Sequence, residues 1–93
     1  MNQNSYIAIT TRAFEVLKSI DTPMSVDSFI QLELTGDPTA DALLSYVSRM
    51  MLEKLREDGA IHCDPLASPN PKIHGLTPKG VEMHQLFLKL TKA

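Results

Sequence analysis

The most constraining feature of the chain is residues 55–80, where two helix-boundary signals flank a short strand pattern. Gly59 can adopt the left-handed conformation that ends a helix, and the β-branched Ile61 that follows suits a strand. Thr77 can cap another helix whose first residue is Pro78, where the missing backbone N–H costs nothing. The segment therefore predicts a helix, an antiparallel hairpin over residues 61–76, and a further helix.

Helical periodicity also marks the N-terminal part of the chain. Residues 10–20 place four apolar side chains on one face of a predicted helix: Ala13, Phe14, Leu17 and Ile20. Residues 1–9 form an N-terminal arm, in which residues 6–9 either extend as a strand or begin this helix. Ser25 is the expected N-cap of a second helix that runs to about Leu34, with Met24 packed on Phe29 as a hydrophobic staple.

The third predicted helix spans residues 38–58, because Asp37 can cap it and Pro38 can begin it. At ~100° per residue, one face of this helix is expected to be buried: Leu44, Val47, Ser48, Met51 and Leu55. Four residues project from the other side: Ala42, Tyr46, Arg49 and Glu53. The third helix therefore offers one face to the core and one to a partner.

The end of this helix, the hairpin and the next helix resemble the winged helix-turn-helix family of small bacterial, archaeal and phage regulators. The resemblance rests on Leu52, Leu55, Gly59, Ile61 and the Leu-Thr-Pro-Lys-Gly motif at 76–80, and covers about residues 10–91. It implies an α+β, mostly helical domain over residues 10–93, with a three-helix core, a two-stranded wing and a C-terminal helix. Most winged helices bind DNA and some bind only proteins, so the fold leaves both functions open.

In this family the third helix enters the major groove of DNA, which makes its outward face the candidate DNA-binding surface. Arg49 can donate two hydrogen bonds to a guanine edge, a contact worth ~1–3 kcal/mol of discrimination. The alternative is an ion pair with Glu53 at i, i+4, worth ~0.2–0.5 kcal/mol. The other candidate DNA contacts are Ser45 and Tyr46 on the helix and Lys72 and His74 beside the wing loop at 65–72, which three prolines stiffen.

The charge distribution is compatible with two functions. The net charge is −2; residues 1–41 carry two basic and six acidic side chains, and residues 42–93 carry seven basic and five acidic ones. The basic half contains the presumed recognition helix and wing, which favours a DNA-binding transcriptional regulator that contacts double-stranded DNA. The acidic half and the sparsely charged wing favour the alternative, a module that binds a protein, such as an antagonist of a regulator or nuclease, and does not bind DNA.

No pattern typical of a catalytic site is present, so we expect no enzymatic activity. His62, Cys63, Asp64 and His74 suggest a zinc site at first sight. Adjacent residues on a strand point to opposite faces, so only one of His62 and Cys63 can join His74. Such a site is short of ligands, and we therefore expect neither a metal nor another cofactor.

The last predicted helix, at about 78–91, carries more apolar residues than one face needs. Its expected core stripe contains Met83, Leu86, Phe87 and Leu90. Val81 and Leu88, with His84 between them, lie on the outer side and are expected to line a homodimer interface. Leu43 and Met50 are likewise displaced toward a flank of the third helix.

Cellular location is predicted from what the chain lacks. No apolar run approaches the ~20 residues of a membrane span, and Met-Asn-Gln-Asn-Ser at the start lacks the basic and apolar regions of a signal peptide. Cys63 is the single cysteine, which rules out an internal disulfide. We therefore expect a cytoplasmic protein without membrane contact.

Overall fold

The computed structural model describes the backbone of residues 3–92 and the side chains of residues 7–90. Within this range the chain forms four helices and a three-stranded antiparallel sheet, which confirms the mostly helical α+β class. The elements in chain order are α1 (Gln3–Lys18), β1 (Met24–Ser25), α2 (Val26–Gln31), α3 (Pro38–Glu57), β2 (Ile61–Cys63), β3 (Lys72–Leu76) and α4 (Pro78–Lys92). None of the helices in this range is long and apolar enough to cross a membrane.

The first helix is longer than the sequence pattern indicates. It begins at Gln3, so residues 6–9 are helical and not extended. It ends at Lys18 rather than at residue 20, because the amide and the hydroxyl of Ser19 both donate to the carbonyl oxygen of Val16, at 3.1 and 2.8 Å. These bonds close the chain into a turn.

The caps predicted for the second and third helices are confirmed. Ser25 Oγ accepts a hydrogen bond from the Ser28 amide at 3.0 Å, and Asp37 Oδ1 accepts one from the Thr39 amide at 3.0 Å. The second helix ends at Gln31 and not near residue 34, because residues 32–34 tighten into a turn whose amides bond three residues back.

The sheet has one strand more than expected. β3 lies in the centre and pairs with β2 as predicted, with Ile61 opposite Leu76. Its other edge pairs with β1, where Met24 lies opposite Ile73. A two-residue strand is too short to show periodicity, and β1 forms only because the tertiary structure brings it beside an open edge of β3. The expected two-stranded sheet is therefore corrected to three strands.

A direct link joins the end of α3 to the start of α4. Gly59 has a φ of 75°, which confirms the predicted left-handed helix end. Thr77 Oγ1 accepts a hydrogen bond from the Gly80 amide at 3.0 Å and donates one to the Gly59 carbonyl at 2.6 Å. One hydroxyl thus caps α4 and ties it to the residue that ends α3.

The core lies between α1, α2, α3 and the sheet. Its buried apolar residues are Ala13, Phe14, Leu17, Val26, Phe29, Ile30, Met51, Leu52, Leu55, Ala60, Ile61 and Ile73. The fourth helix packs along α1, where the Phe14 ring centre lies 5.6 Å from the ring centres of both His84 and Phe87.

The orientation of α4 about its axis differs in part from the expected one. Two of the four predicted core residues, Met83 and Phe87, are half-buried and pack against the core. The other two, Leu86 and Leu90, are 53% and 55% exposed, whereas His84 is only 5% exposed. The cause is Gly80, which is buried against the backbone of Ala60 so closely that a Cβ would clash with the carbonyl oxygen. This close approach turns the side of the helix that carries His84 and Phe87 toward α1.

Candidate interaction surface

The outward side of α3 carries a row of apolar side chains. The helix buries Ser48, Met51, Leu52 and Leu55, and leaves Leu44 and Val47 half-buried at the edge. Leu43, Tyr46 and Met50 are 61%, 63% and 56% exposed. We call Leu43, Tyr46, Val47 and Met50 the α3 row; their spacing places them side by side along the helix.

The α3 row leads into an open groove of about 470 Å³. It is lined by three apolar residues, Val47, Met50 and Met51, and by three charged ones, Glu53, Lys54 and Glu57. Methionine side chains are flexible and polarisable, so a lining of this kind adapts to apolar groups of different shapes. The combined surface can accept the apolar side of a partner.

The charges at the groove are mostly paired within α3. Lys54 Nζ lies 3.3 Å from Asp58 Oδ1, and Arg56 Nη1 lies 3.4 Å from Glu53 Oε1. The exposed Glu57 has no ion pair with another side chain in the described part of the chain. The C-terminal end of the groove is therefore weakly acidic.

Arg49 pairs with a residue of α2 and not with Glu53, its alternative partner at i, i+4. Its Nη2 donates to Asp27 Oδ1 at 3.0 Å, while Glu53 binds Arg56. The i, i+4 alternative is therefore wrong, because the turn between α2 and α3 brings Asp27 within reach. Of the other candidates on α3, Tyr46 is exposed and Ser45 is half-buried at the edge of the buried face.

That turn is itself held by a carboxylate. Asp41 accepts hydrogen bonds from the amides of Thr35 at 2.7 Å and Gly36 at 2.9 Å. The hydrogen bond from the Thr35 amide, opposed by partial desolvation, lowers the pKa of Asp41 below its usual range. Asp41 thereby ties the first turn of α3 to the loop that precedes it.

The remaining DNA-contact candidates lie on the hairpin. Lys72 and His74 are exposed and alternate with buried Ile73, so both point outward from the sheet. Asp64 accepts hydrogen bonds from His74 Nε2 at 3.1 Å and from the Lys72 amide at 3.0 Å. The hydrogen bond from His74 is the main cause that lowers the pKa of Asp64. The five predicted contacts thus form two groups, one on α3 and one on β3.

The cysteine and histidines of the hairpin do not converge. Cys63 is half-buried, its Sγ donates to the Asp64 carbonyl at 3.3 Å, and burial raises the pKa of its thiol. His62 points outward on β2. Among the side chains that the structure describes, no three His, Cys, Asp or Glu residues are close enough to hold a metal ion.

The predicted homodimer surface requires one correction. His84 cannot line an interface, because it is buried against Phe14. Val81 is 39% exposed and Leu88 is half-buried. The most exposed apolar residues of α4 are instead Leu86 and Leu90, which the sequence pattern assigned to the core. Their spacing of four residues indicates from the sequence that they share one side of α4. The sequence does not indicate whether that side faces the core or solvent.

On α4, charged residues surround the two exposed leucines. Lys79, Glu82 and Lys89 are all exposed on the same side of the helix as Leu86 and Leu90. We call Lys79, Glu82, Leu86 and Leu90 the α4 face.

Comparison of the chain with protein-family models, curated protein sequences and solved structures finds no match.

Proposed function

We propose that the chain is a winged-helix protein-interaction module whose contact surface is the α3 row with its adjoining groove. The observation that carries the proposal is the exposure of three large apolar side chains, Leu43, Tyr46 and Met50, on one side of α3. Fully burying a side chain of this size stabilises a complex by ~1.5–3 kcal/mol. A phosphate backbone offers no such gain, whereas the apolar side of a protein helix does.

The order of elements supports the winged-helix part of the proposal. A short turn joins α2 to α3, the β2–β3 hairpin follows, and α4 begins directly after it. The residues that carry the family resemblance occupy the matching boundaries, with Gly59 at the end of α3 and Thr77 at the cap of α4. The outward side of α3 is then the surface that this fold presents to a partner.

A photo-crosslinking amino acid at position 46 tests the proposal in cells that produce the chain. Irradiation should join the chain to a polypeptide, because Tyr46 lies in the centre of the row. The same amino acid at the exposed position 15 of α1 is the matched control and should give no such product. Met50→Glu should lower the yield from position 46, whereas Gln85→Glu on α4 should not. Crosslinking to DNA, or no product from position 46, would overturn the proposal.

DNA binding is the second candidate function. The observation that favours it is that the ion pair of Arg49 with Asp27 is exposed to solvent. An exposed ion pair such as Arg49–Asp27 is worth only ~0.2–1 kcal/mol. A two-bond contact with guanine is worth ~1–3 kcal/mol, so Arg49 can exchange one partner for the other. In this mode the chain is a transcriptional regulator that reads the major groove with α3 and places Lys72 and His74 near the DNA backbone.

Fluorescence anisotropy with duplex genomic fragments tests this second candidate. Asp27→Asn frees the guanidinium and should raise the affinity, while Arg49→Ala should weaken a specific site by ~1–3 kcal/mol. The affinity should fall steeply as salt rises, since each phosphate contact releases counterions. If low salt gives no binding, or if the two variants bind as the wild type does, the DNA candidate fails.

A further inference from the structure

We propose that the partner of the α3 row is the α4 face of a second copy of this chain, docked antiparallel to α3. This inference rests on the proposed function, because it names a partner for the same surface. The α3 row and the α4 face are the two places where the described helices expose apolar side chains next to each other in a charged setting. Along the two helices, the charged and apolar residues of these surfaces follow one another in complementary order.

The match appears when the two helices run in opposite directions. On α3, Glu57 lies seven residues after Met50; on α4, Lys79 lies seven residues before Leu86. Seven residues correspond to about 10.5 Å along a helix in both cases. With Met50 opposite Leu86, the antiparallel alignment therefore brings the carboxylate of Glu57 opposite the ammonium of Lys79.

The same alignment brings two further pairs of complementary residues opposite each other. Tyr46 then lies opposite Leu90, which extends the apolar contact toward the start of α3. Lys54, whose Nζ lies 3.3 Å from Asp58 Oδ1 in its own helix, is placed opposite Glu82, which gives a second pair of opposite charges. A parallel alignment that also places Met50 opposite Leu86 would put Lys79 opposite Leu43. Glu57 would then have no residue of opposite charge across from it. With Met50 opposite Leu86, charge complementarity thus selects the antiparallel direction.

The exposures of these residues fit an interface that is open in the single chain. Met50 and Leu86 are each more than half exposed, and Glu57, Lys79 and Glu82 are exposed as well. Each copy has one α3 row and one α4 face, so the contact joins unlike surfaces. Such a contact either repeats reciprocally in a two-fold dimer or continues from copy to copy.

Two glutamate substitutions test the contact, with the purified full chain and sedimentation velocity at tens of micromolar. The wild type should assemble. Met50→Glu blocks the α3 row and Leu86→Glu blocks the α4 face, so each variant alone should sediment as a monomer. Mixed together, they should form a one-to-one complex, because the intact α4 face of the first variant meets the intact α3 row of the second. Circular dichroism checks that both variants stay folded.

Each other outcome overturns the inference. If Leu86→Glu still assembles alone, α3 pairs with α3 and not with α4. If the mixture stays monomeric, the two surfaces do not bind each other. A monomeric wild type also refutes self-recognition; a crosslink from position 46 to a different polypeptide would then still uphold the proposed function.

Charge reversal tests the register separately from the apolar contact. Glu57→Lys should weaken assembly by up to about fivefold, the value expected for an exposed ion pair. Adding Lys79→Glu to the same chain should restore it. Both changes suit the helix dipole, since the lysine lies at a C-terminus and the glutamate near an N-terminus, so neither disturbs the fold. A double variant as weak as the single one would refute the antiparallel register.

Discussion

Gly80 lies in the first turn of α4, buried against the carbonyl group of Ala60. The absence of a side chain allows the helix to begin directly above the end of α3, where Thr77 joins the two. The same contact determines which side of α4 faces α1. A single glycine therefore decides which leucines of the last helix remain exposed.

Gly80→Val should destabilise the protein by about 3 kcal/mol, because the added side chain clashes with the backbone carbonyl group of Ala60. Gln85→Val is the matched control, since it adds the same side chain at an exposed position of the same helix. It should change the free energy of unfolding by no more than about 0.5 kcal/mol. Equilibrium unfolding in urea measures both. Equal stabilities would show that α4 does not approach Ala60 this closely.

Two neighbouring threonines of α1 differ in their hydrogen bonding. Thr11 Oγ1 donates to the Ile7 carbonyl at 2.7 Å, whereas the buried Thr10 Oγ1 has no hydrogen-bond partner among the described residues. A buried polar group without a partner costs ~1–3 kcal/mol. Thr10→Val should therefore raise the melting temperature, and Thr11→Val should not. A lower melting temperature for Thr10→Val would mean that its hydroxyl is satisfied.

At the scale of elements, carboxylates hold the connections together. Asp41 fixes the turn between α2 and α3 through the amides of Thr35 and Gly36. Asp64 holds the β2–β3 hairpin by accepting hydrogen bonds from the Lys72 amide and the His74 ring. Both pKa values are lowered, because the ionised form accepts the hydrogen bonds. The turns are thus stabilised by charge as well as by backbone pairing.

The stabilisation that ionised Asp64 gives to the β2–β3 hairpin should be lost in acid. A lowered pKa in the folded state means that the stabilisation is fully present above the usual aspartate pKa and disappears as the pH falls through the lower folded value. The protection factor of the Lys72 amide, which is the intrinsic exchange rate at each pH divided by the rate observed by NMR, should therefore fall in that range. Asp64→Asn should show a lower protection factor at neutral pH and no further loss in acid from this group. An unchanged protection factor in the variant would refute the role of the carboxylate.

At the scale of the whole molecule, one aromatic residue connects α1 to the last helix. Phe14 is fully buried and contacts the rings of both His84 and Phe87. Core residues from α2, α3 and the sheet complete the same cluster. Unfolding of α1 and α4 should therefore occur together with that of the remaining core.

Phe14→Ala should cost ~3–5 kcal/mol, and Leu86→Ala should change stability by less than about 0.5 kcal/mol. The sequence pattern placed Leu86 in the core, so the pair of variants distinguishes the two orientations of α4. Calorimetry at a concentration where the wild type is monomeric is the measurement. A loss of several kcal/mol in Leu86→Ala would restore the orientation expected from periodicity.

The sequence by itself determined where α2, α3 and α4 begin and where α3 ends, because these boundaries depend on local chemistry. Asp37 and Thr77 cap helices with their own side chains, and Gly59 takes a backbone conformation that other residues avoid. The β2–β3 pairing also followed from the chain, since a short loop brings the two strands together. The existence of an outward face on α3 was predicted for the same reason, from a period that is local to the helix.

Only the tertiary structure decided which chemistry lies on the exposed surfaces. Arg49 pairs with Asp27, twenty-two positions away, and β1 exists because β3 has an open edge beside it. His84 is buried while Leu86 is exposed, because Gly80 sets the rotation of α4 against the core. Periodicity shows that a helix has faces, but the direction of each face depends on contacts between residues far apart in the chain.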